Sequence, residues 1–375
     1  MLLGTGFRPF FLGAALLASV AMAAWALVLG GQLSWVGPLN PFHWHAHEMV
    51  FGFTLAIVAG FLLTAAQNWT GRTTATGPLL GALFGLWLAG RVAAVVDLGV
   101  VGLVLDVAFP LVLAVAVGRP LIAAGSRRNY PFVGLLAGLS AVDLAWHLGW
   151  LSQTVAVRLT LDAVVLFIVI VGGRIVPMFT RNALPESGAH KRPSIDRIAL
   201  ALTWALLGVD ALSVVVDIPL LVALIAGLAG IAHLVRMSTW GSAKALTRPM
   251  LAILHAGYVW ICVSLLARAA VDLGVPMAAT VPTHLFTVGA LGAFTLGMVS
   301  RVSLGHTGRP IVAGRVTIAS YVMVSIAVVF RIWAGVSPST HALIAAAAAF
   351  SVAFVLFLVG NTVVLLSPRS DGRPG

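Results

Sequence analysis

Three histidines and a glutamate stand together in Asn40-Pro41-Phe42-His43-Trp44-His45-Ala46-His47-Glu48, at the head of an apolar run that ends near Gln67. Imidazoles and carboxylates bind metal ions and carry protons, and at membrane depth they are costly enough that one of those tasks is the first to consider. Asn40 is a good helix N-cap and Pro41 suits the first helical position, so the cluster falls in the first turns of a helix. On a regular helix His43 and His47 share one face, and His45 and Glu48 share another. Two ligand pairs then point in different directions. His43 and His45 are either hydrated at the interface or ligands, whereas His47 and Glu48 lie deeper. An ionised Glu48 there needs a metal, an ion pair or a histidine to orient, or else a proton.

The remaining histidines differ in rank. His284 opens a later helix from the same side, and two imidazoles from two central helices are what a six-coordinate haem, or part of a copper site, requires. His255 begins His255-Ala256-Gly257-Tyr258-Val259-Trp260, where Gly257 leaves room for a planar ligand and Tyr258 supplies a hydroxyl. His306 ends a helix, a place that favours its cationic form, and is either a ligand or a residue stabilising that terminus. His147 and His190 read as surface residues, while His233 and His341 carry no assignment. Arg91 and Arg331 share the outer half with His47 and His284, where they either reach lipid phosphate or hold haem propionates. Cys262 is the lone cysteine, which excludes a disulfide, a thiolate cluster and covalent haem attachment.

These residues must be positioned by membrane helices. With 60% apolar and 9% charged residues and a mean hydropathy of +1.06 over 375 residues, a soluble fold would lack a polar surface. Twelve apolar segments are long enough to cross a bilayer, near 10-30, 46-67, 77-96, 99-118, 131-151, 157-177, 198-216, 219-235, 250-271, 284-303, 313-334 and 341-366. The fold class is therefore all-α, a polytopic helix bundle forming a single integral membrane domain over 1-375, with the Thr180 to Asp196 stretch as its longest loop. A net charge of +11 does not mark a nucleic-acid binder, because 16 of the 22 basic residues, Arg8 to Arg373, fall on one side. That is the positive-inside pattern of a bacterial-type inner membrane protein with both termini cytoplasmic. The run from Phe10 to Leu29 is long for a signal-peptide core and reads as a retained helix.

A repeat organises the chain. Arg8-Pro9-Phe10, Tyr130-Pro131-Phe132 and Arg248-Pro249-Met250 each open a helix after a basic loop, which suggests three four-helix units near 8-125, 126-245 and 246-367. Laying His47 on His284 also aligns Gly52, Ala56 and Gly60 with Gly289, Ala293 and Gly297, and Arg91 with Arg331 after a small slip. The small residues let these helices pack closely.

Four stretches carry a resemblance to a known family: Trp44 to Gly52 continuing to Ala65, Gly172-Gly173-Arg174-Ile175-Val176-Pro177-Met178-Phe179-Thr180-Arg181-Asn182, His255 to Trp260, and Ser300 to Arg309. Together they resemble the NnrS family. The resemblance implies an inner-membrane protein with about twelve spans, containing non-covalent (b-type) haem and copper and linked to nitric oxide and nitrosative stress. Its partners would be the lipid bilayer, nitric oxide or a related small molecule, and a membrane electron donor. The ligand roles of His43, His45, His47, Glu48, His255, His284 and His306, and the haem contacts of Arg91 and Arg331, come from depth and helical face alone. The alternative is a repeat-built transporter or metal-homeostasis protein using the same histidine and arginine interior. Enzymatic turnover is left open. A reporter fused after Arg373 should be active only on the cytoplasmic side; activity outside would defeat the depth ranking of the histidines.

Overall fold

A computed structural model describes residues 1–372; Arg373, counted above on the basic side, lies outside them. The described residues form helices and turns, as backbone in lipid must. The long helices are α1 Phe7–Leu29, α2 Pro41–Thr70, α3 Gly77–Ala93, α4 Gly99–Ala123, α5 Pro131–His147, α6 Gln153–Ala183, α7 Pro193–Leu212, α8 Pro219–Met237, α9 Pro249–Asp272, α10 Thr280–Gly305, α11 Arg315–Val336 and α12 Thr340–Leu366. Among the described residues nine of these, against the twelve spans expected, are long and apolar enough to cross a membrane. The others occupy the places of the remaining expected segments. α3 and α5 have 17 residues each, about 26 Å of rise, a little short of a ~30 Å hydrocarbon core. α7 has 20 residues but carries Asp196, Arg197 and Asp210.

Local chemistry sets the helix ends. The Asn40 side chain accepts the His43 N–H at 2.9 Å, and Pro41 takes the first helical position, as the sequence implies. Proline likewise opens α5, α7, α8 and α9. Gly71 ends α2 in the left-handed region at φ 65°, where a side chain would be strained. At the far end of the chain, Arg8 donates from Nη1 to Leu365 O (2.6 Å) and Ser367 O (2.8 Å), satisfying carbonyls that the end of α12 leaves unpaired.

Neither histidine-bearing helix is regular. The backbone of α2 widens into a π-helical turn at Glu48–Thr54, and that of α10 at Leu285–Gly292, in each case directly after the histidine. Such turns rotate the side chains that follow them and recur at functional sites. Thr54 Oγ1 donates to Met49 O at 2.7 Å, five residues back, inside the first of them.

The helices divide into two compact units. The first comprises Met1–Thr160, Arg301–Ile311 and the chain from Phe354; the second comprises Leu161–Ser300 and Val312–Ala353. In the first, α4 packs on α3, α5 and α2, and α1 lies along α2. In the second, α8 lies between α7 and α9, and α10 packs on α9 and α11. Within each, the small residues of α2 and α10 serve close packing, since a Cβ at Gly60 would lie 2.7 Å from the Phe11 ring and one at Gly297 2.8 Å from Leu254. Gly257 departs from expectation. A Cβ there would lie 2.9 Å from Phe294 N and 3.2 Å from Ala290 O, so the backbone of α10, not a planar ligand, fills the space.

Gly257→Ala should therefore destabilise the purified protein by about 1–3 kcal/mol through overpacking, read as a lower melting temperature. Gly134→Ala on α5, where a Cβ meets nothing within 4 Å, should leave stability unchanged or raise it by at most ~1 kcal/mol.

Candidate metal centre

In the first unit three carboxylates, an arginine and a second histidine surround His47. This imidazole is 1% exposed, and each ring nitrogen faces carboxylate oxygen: Nδ1 lies 3.2 Å from Glu48 Oε1, and Nε2 lies 2.9 Å from Asp106 Oδ2 and 3.2 Å from Asp143 Oδ1. Carboxylate oxygens only accept, so each nitrogen must meet them through a proton or a metal ion. Three helices supply the constellation. The π-helical widening at Glu48 lets that carboxylate meet the neighbouring His47; Asp106 comes from the first third of α4, and Asp143 and His147 from successive turns of α5.

His147 Nε2 stands 3.6 Å from both Asp106 Oδ2 and Asp143 Oδ1. One ligand atom each from His47, Asp106, Asp143 and His147 lies within 4.8 Å of the others. Four ligands about 2 Å from a common ion are spaced at that scale, so these residues can hold a metal ion. Asp143 Oδ2 is also buried without a hydrogen-bond partner, an acceptor left over by the protein's own network. Trp146 and Phe51 close over the His47 ring at 5.2 and 5.1 Å between centroids. His147, with its side chain 25% exposed, forms the open edge.

Arg91 holds the carboxylates in place. Its Nη1 donates to Glu48 Oε1 at 2.6 Å and its Nη2 to Asp106 Oδ1, while Trp87 Nε1 on the same helix donates to Gly52 O at 2.9 Å. Gly52 makes this approach possible, because a Cβ there would lie 2.8 Å from Arg91 Nη1. The sequence reading placed Arg91 against an anionic ligand; here its anions are Glu48 and Asp106.

The other expected site residues lie in several places. His43 is half-buried, 6.3 Å from Trp146 between rings, and His45 stacks on Trp25 at 4.6 Å. In the second unit, Arg331 Nη2 lies 3.0 Å from His284 Nδ1, which also stands 2.8 Å from Thr280 O. The structure thus brings His47 to Arg91 through shared carboxylates, and His284 directly to Arg331. His255 is engaged on both nitrogens, by Thr180 Oγ1 and Ser242 Oγ at 2.9 Å each. His306, in the first unit, lies against Phe7, and its pKa falls below the ordinary histidine value through burial first and the nearby Arg369 second. That corrects the cationic form expected at a helix end: desolvation and a neighbouring cation outweigh the helix dipole.

Sequence reasoning missed Asp106 and Asp143; His147 is exposed, as expected, but its place in the cluster was not foreseen. A signal was present, because a carboxylate inside an apolar span is as costly as an imidazole. Only packing could show that three separate helices aim these groups at one point.

A family model described as NnrS protein matches residues 1–369, nearly the whole chain. No curated protein matches it. Replacing His47 with Ala should remove most bound metal from the purified protein, whereas His43→Ala should leave the content nearly unchanged; metal analysis by mass spectrometry reads both. Glu48→Gln, which weakens the grip on His47 Nδ1, should reduce affinity by roughly 10–100-fold.

Proposed function

The chain belongs to the NnrS family, and we propose that it is an inner-membrane metalloprotein of the nitric oxide response, with copper held by His47, Asp106, Asp143 and His147. The observation that carries this reading is the buried donor set and its charge. Glu48, Asp106 and Asp143 oppose one guanidinium, Arg91, which leaves two formal negative charges that a divalent ion balances. Imidazole suits copper, and a given nitrogen and oxygen site binds the cupric ion most tightly among the divalent first-row metals.

When bound, copper supplies a one-electron couple and a coordination position for a small ligand such as nitric oxide. The chain's own groups do the rest. Glu48 orients His47 through Nδ1, which would leave Nε2 to hold the ion. Arg91 prevents Glu48 and Asp106 from repelling each other, and Trp146 and Phe51 exclude water. His147 faces the way in, at the outer end of α5.

Haem does not fit against His47, whose Nε2 meets two carboxylates where a porphyrin needs a flat apolar slot, nor beside Gly257, where α10 fills the gap. We place it by inference at His284. Arg331 beside it meets no carboxylate among the described residues and is the proposed partner of a haem propionate.

Absorption and electron paramagnetic resonance spectra of the purified protein test both assignments. Wild type should show a Soret band that shifts with nitric oxide and a cupric signal with nitrogen hyperfine structure. His47→Ala should lose the cupric signal and keep the Soret band, and His284→Ala should do the reverse. Absence of both signals from wild type would defeat the reading.

A further inference from the structure

The second unit buries a polar assembly that the metal centre does not use. The Tyr258 hydroxyl on α9, in a residue that is 0% exposed, lies 2.8 Å from His233 Nδ1 on α8 and 2.9 Å from Arg236 Nη1. The direction of each bond follows from counting donors. Thr203 Oγ1 lies 2.8 Å from Ala199 O, which only accepts, so the single hydroxyl proton points there. Oγ1 must then accept from His233 Nε2–H at 2.9 Å. In its neutral form the imidazole has one proton, so Nδ1 is an acceptor and the Tyr258 O–H is its donor. Arg236 can only donate, and the phenol oxygen takes that bond as well. The guanidinium is itself fixed by Asp196 Oδ1 (2.7 Å) and Val169 O (2.8 Å).

We propose that Tyr258 is a redox-active tyrosine with His233 as its proton acceptor. A neutral one-electron oxidant that enters lipid, of the nitrogen-oxide radical class such as nitrogen dioxide, takes one electron from the phenol and leaves as nitrite. The Tyr258 O–H bond breaks and its proton moves along the 2.8 Å hydrogen bond to His233 Nδ1. The products are a neutral phenoxyl radical and a doubly protonated His233. A one-electron reductant of the ascorbate class then gives the radical an electron, and the resulting phenolate takes the proton back along the same bond. The histidine matters because an oxidised phenol is a very strong acid, and a buried site with no base would have to hold it as a cation. Arg236 is a positioning residue that keeps its bond to the oxygen in both states. The Trp240 ring, fully buried and 4.5 Å from that of Tyr258 between centroids, gives the electron an adjacent aromatic path.

The inference goes beyond the copper and haem reading, and its test is read on the tyrosine and not on either metal. The chain has three tyrosines, so Tyr130→Phe with Tyr321→Phe leaves Tyr258 alone. The full-length double variant, purified as it is isolated, is photo-oxidised by an ultraviolet flash in frozen solution with persulfate as electron acceptor. Electron paramagnetic resonance should then show a tyrosyl radical whose oxygen couples to two exchangeable protons, one from His233 and one from Arg236. Adding His233→Leu should cut the radical yield by roughly a hundredfold, the scale of a positioned proton acceptor, and leave one coupled proton. Thr203→Val, which frees the imidazole to carry its proton on Nδ1, should lower the yield in the same direction and covers the case in which His233→Leu fails to fold. A radical yield unchanged by both variants, or no tyrosyl signal from the protein holding Tyr258 alone, would overturn the proposal.

Discussion

The first unit depends on keeping charge inside an apolar bundle. A carboxylate or guanidinium taken from water costs several kcal/mol unless a partner repays it. Arg91 does so by lying between Glu48 and Asp106, and it reaches them because Gly52 has no side chain and Trp87 ties α3 to the backbone of α2. Removing the guanidinium would leave two carboxylates facing each other beside a third, so the donor set around His47 exists only while this pairing holds. The second unit uses the same device separately. Arg268 there donates to Asp162 at 3.0 Å and to both oxygens of Asp210 at 2.5 and 2.6 Å, joining three helices at one point.

Backbone irregularity does the aiming. A regular helix through Glu48 would send that carboxylate toward the face of His45. The π-helical turn lets it meet His47, and the imidazole carries its other nitrogen to α4 and α5. A matching turn follows His284, which lies against the Arg331 guanidinium, so one local device serves two histidines with different neighbours. Threonines bonded back to their own helices complete this logic elsewhere. Thr203 and Thr180 each spend their hydroxyl proton on a carbonyl and so dictate which nitrogen of His233 and of His255 bears hydrogen.

Much of the fold was readable from residue types. Apolar runs, proline at the starts of helices and the Asn40 cap depend on local preference, and each appears where the sequence places it. Much of the site was not. His47 and Glu48 stand out because they are neighbours in a cluster, whereas Asp106 and Asp143 are single acids 37 residues apart, each in an otherwise ordinary apolar helix. His233 offered no local cue at all, and its significance comes from Tyr258 and Thr203 on other helices. Gly257 and His306 mislead for a related reason, since a glycine gap and a helix end mean different things once a neighbouring backbone or arginine occupies the space.

What the sequence by itself determined is the class of protein and the presence of metal-binding chemistry in it. Hydropathy fixes where chain can cross lipid, and the types of side chain fix what they can ligate; both are properties of short segments. Which acids join His47, which cation neutralises them and which way each hydrogen bond runs were decided only by tertiary structure. Those are properties of distance between helices, and in an apolar medium a few ångströms separate a paired charge from one too costly to bury.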